Sequence, residues 1–214
     1  MKKYLILALL VFAGLAAPSL SVAQALKVAA KGTKTITLSD KVGKNQFSWT
    51  STAPLENILG TAEGVKGSIT LDPQNLKTLK AKISVDVNTF KSGNETRDEH
   101  IKSAQWLNAA KHGTIEFSLA NVEGLKTEGS KATGTAKGTF TMNGVSKELA
   151  IPFALEYLDA SERTKKRAAG DLAVITADIQ VELKDFNVAG SAGTIGNKVG
   201  ETIKISAKLF GSTM

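Results

Sequence analysis

Over most of its length the chain alternates apolar and polar side chains with a period of two, the pattern a half-buried strand requires. Ile83, Val85 and Val87 alternate with Ser84 and Asp86; Ile115, Phe117 and Leu119 alternate with Glu116 and Ser118; Phe140 and Met142 alternate with Thr139 and Thr141. Leu149, Ile151, Phe153 and Leu155 form a fourth run, Ile175 to Leu183 a fifth, and Ile203, Ile205, Ala207 and Leu209 a sixth. Weaker pairs at Ile36 and Leu38, Phe47 and Trp49, and Ile69 and Leu71 bring the expectation to about nine strands. Asn143-Gly144 supplies the positive φ angles of a tight hairpin, which predicts antiparallel pairing of residues 131–142 with 146–157. Pro152 has no N–H for a ladder and therefore marks an edge, a bulge or an opening of the sheet. Ser161 to Asp171, carrying Arg163, Lys165, Lys166 and Arg167, reads as a solvated loop.

The alternation breaks once. Thr96-Arg97-Asp98-Glu99 has the Ser/Thr-x-x-Glu spacing of a capping box and predicts a short helix from Thr96. Ile101, Ala104 and Leu107 would form its buried stripe, with Gly113 as the stop. Antiparallel strands with one helical insertion near 96–110 fit either an open sandwich or a closed barrel, because both alternate in the same way.

The N-terminus bears on compartment. Lys2 and Lys3, the apolar run Leu5 to Ala17 ended by Pro18, and Ala23-Gln24-Ala25 together form a secretory leader with an Ala-x-Ala site, predicting removal of residues 1–25. A membrane anchor would need about 20 uninterrupted apolar residues, and Pro18, Ser19 and Ser21 break the run early. Residues 26–214 are then one domain with no Pro-rich or Ser-rich linker, expected in the periplasm. The absence of cysteine excludes disulfides, thiol catalysis and thiolate metal sites. A formal charge of +7 is a modest excess, suited to transient contact with an anionic membrane surface rather than to nucleic acid.

Particular segments point further. Thr96-Arg97-Asp98-Glu99-His100-Ile101-Lys102-Ser103, then Trp106-Leu107-Asn108-Ala109 and Ile115-Glu116-Phe117, resemble the signature of the YceI-like family. Phe140 to Lys147 resembles its hairpin and Leu149-Ala150-Ile151-Pro152-Phe153 the strand that follows, so the resemblance spans residues 33–210 in the family's order. It implies an all-β fold, an extended eight-stranded antiparallel lipocalin-like barrel. It also implies an exported carrier of polyisoprenoid or isoprenoid-quinone lipid held inside that barrel.

An eight-stranded interior is either filled by side chains or left able to hold one small ligand. The inward parity mixes bulky Phe117, Phe140 and Phe153 with small Ala136, Gly138, Ala177 and Ala207, and the small residues leave room. The candidate pocket lining is Phe47, Trp49, Ile83, Val85, Val87, Phe117, Leu119, Phe140, Met142, Phe153, Ile179 and Val181. Arg97, His100 and Trp106 are candidates for the mouth or for a lipid headgroup, although capping and ties to neighbouring strands also account for the Arg97 segment. His100 and His112 lack metal-ligand spacing, no Gly-x-Ser-x-Gly elbow occurs, and Gly193 to Asn197 lacks the lysine of a phosphate loop. The expectation is a binding protein without catalytic residues, metal or cofactor, its partner an apolar lipid. The alternative is a filled barrel serving as an interaction module of the envelope. Sheet edges near Pro152 leave a homodimer open.

Overall fold

In the computed structural model the described residues are 24–214, so the expected leader lies outside them except for Gln24 and Ala25. Ten strands run in chain order: β1 Lys34–Leu38, β2 Gln46–Thr52, β3 Asn57–Ala62, β4 Lys66–Asp72, β5 Asn75–Asp86, β6 Thr114–Glu128, β7 Lys131–Met142, β8 Val145–Leu158, β9 Leu172–Glu182 and β10 Thr202–Ser212. The helix α1, Glu95–Lys102, lies between β5 and β6. All pairings between these strands are antiparallel, in the order β1-β4-β5-β6-β7-β8-β9-β10, and Thr37 opposite Ser212 closes β10 onto β1. The result is the expected closed eight-stranded barrel. The other half of β10 carries β2, from Ile203 opposite Ser51 to Lys208 opposite Gln46, and β2 carries β3. The sheet is thus extended at one end, where α1 also sits; we call this the mouth and the opposite end the floor.

The Asn143-Gly144 turn forms as its chemistry demands. Met142 faces Val145 across a two-residue loop with φ of 50° and 73°, the doubly positive pair a twisted hairpin favours. The strand β3 has no counterpart in the sequence reading, because its inward positions are Ile58, Gly60 and Ala62 and two of the three are too small to register as an apolar run. Val87 and Leu183, expected in strands, instead open short 3-10 turns at Val87–Thr89 and Leu183–Phe186.

The helix corrects the capping-box reading. Asn94 is the N-cap and accepts the Arg97 amide at 3.1 Å, so α1 starts one residue before Thr96. Glu99 pairs with Lys102 instead of reaching back, and Ser103 ends the helix well before Gly113. Ala104 is exposed, Ile101 half-buried and Leu107 buried. With no fully buried residue, α1 is held by polar ties rather than by an apolar stripe.

Two ladders are incomplete, and each gap is sealed by a segment outside the sheet. Pairing of β8 with β9 begins at Phe153 opposite Ala177, one residue past Pro152, so of the three readings of that proline the opening is the one observed. Above it the Leu183–Phe186 turn fills the gap: Asn143 Nδ2 donates to the Phe186 carbonyl at 3.0 Å, and the Phe140 and Phe186 rings meet edge to face at 5.5 Å. Near the floor, β5 and β6 pair only from Lys82 opposite Ser118 to Asp86 opposite Thr114. Residues 24–27 stitch the remainder, as described below. Beneath this lies solid packing, with Leu26, Leu71, Leu76, Leu155, Tyr157 and Ala173 all at 2% exposure or less.

Candidate functional site: an apolar hollow with a charged mouth

Because alternate residues of every barrel strand point inward, the interior is apolar by construction. Packing does not fill it. A cavity of about 530 Å³ lies at the mouth and a second of about 100 Å³ below it; Ile115 lines both, so the two adjoin, as the upper and lower lobes of the interior. The Phe47 and Phe90 rings, in contact with centroids 5.8 Å apart, stand one on each lobe and narrow the boundary between them to a waist.

The structure divides the twelve expected lining residues between the lobes. Phe47, Ile83, Val85, Phe117, Leu119, Phe140, Phe153 and Ile179 line the lower lobe; Trp49, Met142 and Val181 line the upper. Val87 lines neither, since its 3-10 turn places it in the surrounding packing at 1% exposure. Ala136, Ala177 and Ala207 leave space in the lower lobe, as their size suggested. Gly138 does something different. A Cβ there would stand 2.2 Å from the Ser118 carbonyl oxygen, so its smallness serves close contact of β6 and β7.

Trp49 is placed by a similar absence. A Cβ on Gly60, directly across from it on β3, would come 2.1 Å from the indole ring. The ring lies on that bare backbone and stacks at 6.3 Å on Phe90. Among the described residues its Nε1 is the one buried side-chain polar atom without a protein partner.

The rim of the upper lobe is polar. Arg97, His100 and Trp106 all reach it, together with Glu56, Asn94, Thr96, Thr194 and Lys198. Arg97 donates through Nη1 to the Glu56 carboxylate and through Nε to Ser92 Oγ at 2.9 Å, while Asp98 accepts the Ser92 amide at 2.7 Å and its hydroxyl at 2.6 Å. Arg97 therefore ties α1 to the β2–β3 loop while Asp98 ties it to the segment just before the helix, and Arg97 also lines the hollow. Sequence reasoning missed Ile58, Phe90, Glu56 and Lys198, none of which stands in a run of large alternating residues. Among the described residues no three His, Cys, Asp or Glu side chains converge as metal ligands would.

A closed antiparallel barrel that keeps an apolar hollow and rims one end of it with charge defines the lipocalin-like class, whose interiors accommodate small apolar molecules. Sequence comparison narrows this. Residues 31–210 match the YceI-like domain, and the chain belongs to the YceI-like family. The proteins called Protein YceI in Salmonella arizonae and Salmonella paratyphi B are 29% identical to it over 142 residues, 66% of this chain and 69% of theirs. Among solved structures, BcnA of Burkholderia cenocepacia superposes with a TM-score of 0.64 at 15% identity, covering 81% of this chain and 98% of BcnA. A polyisoprenoid binding domain from Saccharophagus degradans, implicated in plant cell wall breakdown, gives 0.61 at 11% identity over 85% and 99% of the two chains. At those identities the likeness is one of fold.

Proposed function

We propose that the protein is a periplasmic carrier that holds an isoprenoid-type lipid, a polyisoprenoid or isoprenoid quinone, with its chain in the two-lobed hollow and its polar end at the rim. The observation that carries this reading is the space that side chains leave unfilled: about 530 Å³ at the mouth, with a second apolar cavity of about 100 Å³ beyond the phenylalanine waist. Each methylene that leaves water for an apolar lining of this kind gains about 0.8 kcal/mol. The polyisoprenoid binding domain of Saccharophagus degradans, which shares the fold, supports the choice of ligand class. At the rim, Arg97, His100 and Lys198 suit an oxygen-bearing headgroup. Leu55 and Leu59, each 71% exposed beside the mouth, are apolar contacts for a membrane surface during loading. The leader pattern supports the periplasm, and no covalent step is needed for this role.

The rival, a filled interaction module, requires an interior packed to crystal-like density; the lumen argues against it. The experiment is organic extraction of protein purified from a bacterial host, followed by mass spectrometry. Near-stoichiometric prenyl lipid is expected. Lipid-free protein whose tryptophan emission is unmoved by added prenyl compounds would sink the carrier reading.

A further inference from the structure

The small-residue pattern before the leader's end admits two cutting registers. One falls after Ala25, with Ala23 two residues upstream; the other falls after Ala23, with Ser21 in the equivalent place. The finished barrel discriminates between them. Gln24 bridges the two strands that lack a ladder at the floor: its carbonyl accepts the Leu76 amide of β5 at 3.2 Å, and its Nε2 donates to the Leu125 carbonyl of β6 at 2.7 Å. The chain continues inward through Leu26 N–H to the Pro73 carbonyl at 2.8 Å and Lys27 N–H to the Gly129 carbonyl at 2.7 Å. Asp159 then accepts the Ala29 and Ala30 amides at 2.7 and 3.0 Å.

We propose that the leader peptidase hydrolyses the Ala23–Gln24 bond, so that the mature protein begins at Gln24 and this residue closes the floor. In the reaction the C–N bond breaks, water's oxygen ends on the Ala23 carbonyl carbon as a carboxylate, and both water protons end on the Gln24 nitrogen as an ammonium. The inference rests on the export reading given above. A cut after Ala25 would remove both bridging bonds, leaving the Leu76 N–H and the Leu125 carbonyl without those partners. It would also make Leu26, whose side chain packs in the apolar core, the terminal residue, and bring a full charge to the edge of that packing, where it is unfavourable. On Gln24, which is half-buried, the ammonium keeps access to water. Since Gln24 is docked in the folded barrel, the cut precedes folding.

The test is to export the full chain in a Gram-negative host and measure the intact mass of the periplasmic product. A product starting at Gln24, as glutamine or its cyclised form, is expected. A product starting at Leu26 overturns the register and leaves export standing; an uncut chain retained in the cytoplasm overturns export and the inference together. Ala25→Leu should be processed as the parent is, because the second mature residue is tolerant, and accumulation of its precursor counts against the Ala23 site. Folded protein begun at Gln24 should also melt higher than protein begun at Leu26, and equal midpoints would remove the floor role.

Discussion

Gly60 and Trp49 show how one missing methyl shapes the hollow. Gly60→Val drives a branched side chain into the indole, and overpacking of this kind costs about 1–3 kcal/mol. The variant should unfold at lower denaturant and shift tryptophan emission, since Trp49 and Trp106, the two tryptophans of the chain, both line the upper lobe. Tyr157 is a second test. Its hydroxyl donates to Asp171 Oδ2 at 2.6 Å, and burial, reinforced by that bond and by the charges of Asp171 and Asp159, pushes its ionisation well above the ordinary tyrosine range. An unfolded tyrosine loses its proton near about pH 10, whereas the folded one does not, so the unfolded state releases the proton first and stability falls as pH rises past that point. Tyr157→Phe should cost about 1.5–3 kcal/mol at neutral pH, the worth of a hydrogen bond to a charged group, and should flatten the alkaline decline in a pH series of melts. These contacts were not legible in the sequence: alternation says which face a residue takes, while a Gly60-Trp49 or Tyr157-Asp171 contact depends on register and on loops.

At the level of elements, chemistry local to a few residues was readable. Asn143-Gly144 announced its turn and Pro152 announced an interruption, because φ preference and a missing N–H act where they stand. The helix boundary was not, since Asn94 and Thr96 are both good caps and the choice was made by Ser92 and Glu56 holding Asp98 and Arg97. Asn94→Ala should therefore destabilise the protein by about 1 kcal/mol, and Thr96→Ala by much less. Equal effects in chemical denaturation would restore the capping box. Arg97→Ala should loosen the mouth without unfolding the barrel, because a half-exposed ion pair contributes little to stability; a faster release of bound prenyl lipid in stopped-flow fluorescence is the expected sign.

For the whole molecule, periodicity alone left barrel and sandwich equal, and closure depends on Thr37 and Leu38 of β1 meeting the last residues of β10, a pairing between the two ends of the described chain. Whether side chains fill the interior was equally beyond the pattern, because the space left over is a sum over all inward side chains. It can be altered deliberately. Ala177→Leu with Ala207→Leu fills the lower lobe, and the lipid-free protein should melt at the same temperature or higher while the bound chains become shorter by mass spectrometry. Unchanged chain lengths would mean that the ligand stops above the waist.

The hairpin tip of β7 and β8 has a mechanical consequence. From Val145 to Ile151, β8 is laddered to β7 and not to β9, and the tip is latched by Asn143 to the Phe186 and Asn187 carbonyls. Along this seam no backbone rung joins β8 to β9, so a bulky ligand that parts them unfastens only the Asn143 latch and the Phe140–Phe186 contact, while β8 stays laddered to β7 and β7 to β6. Amides of the latch segment around Phe186 should exchange deuterium faster in Asn143→Ala, whereas those of the floor should keep their parental rates.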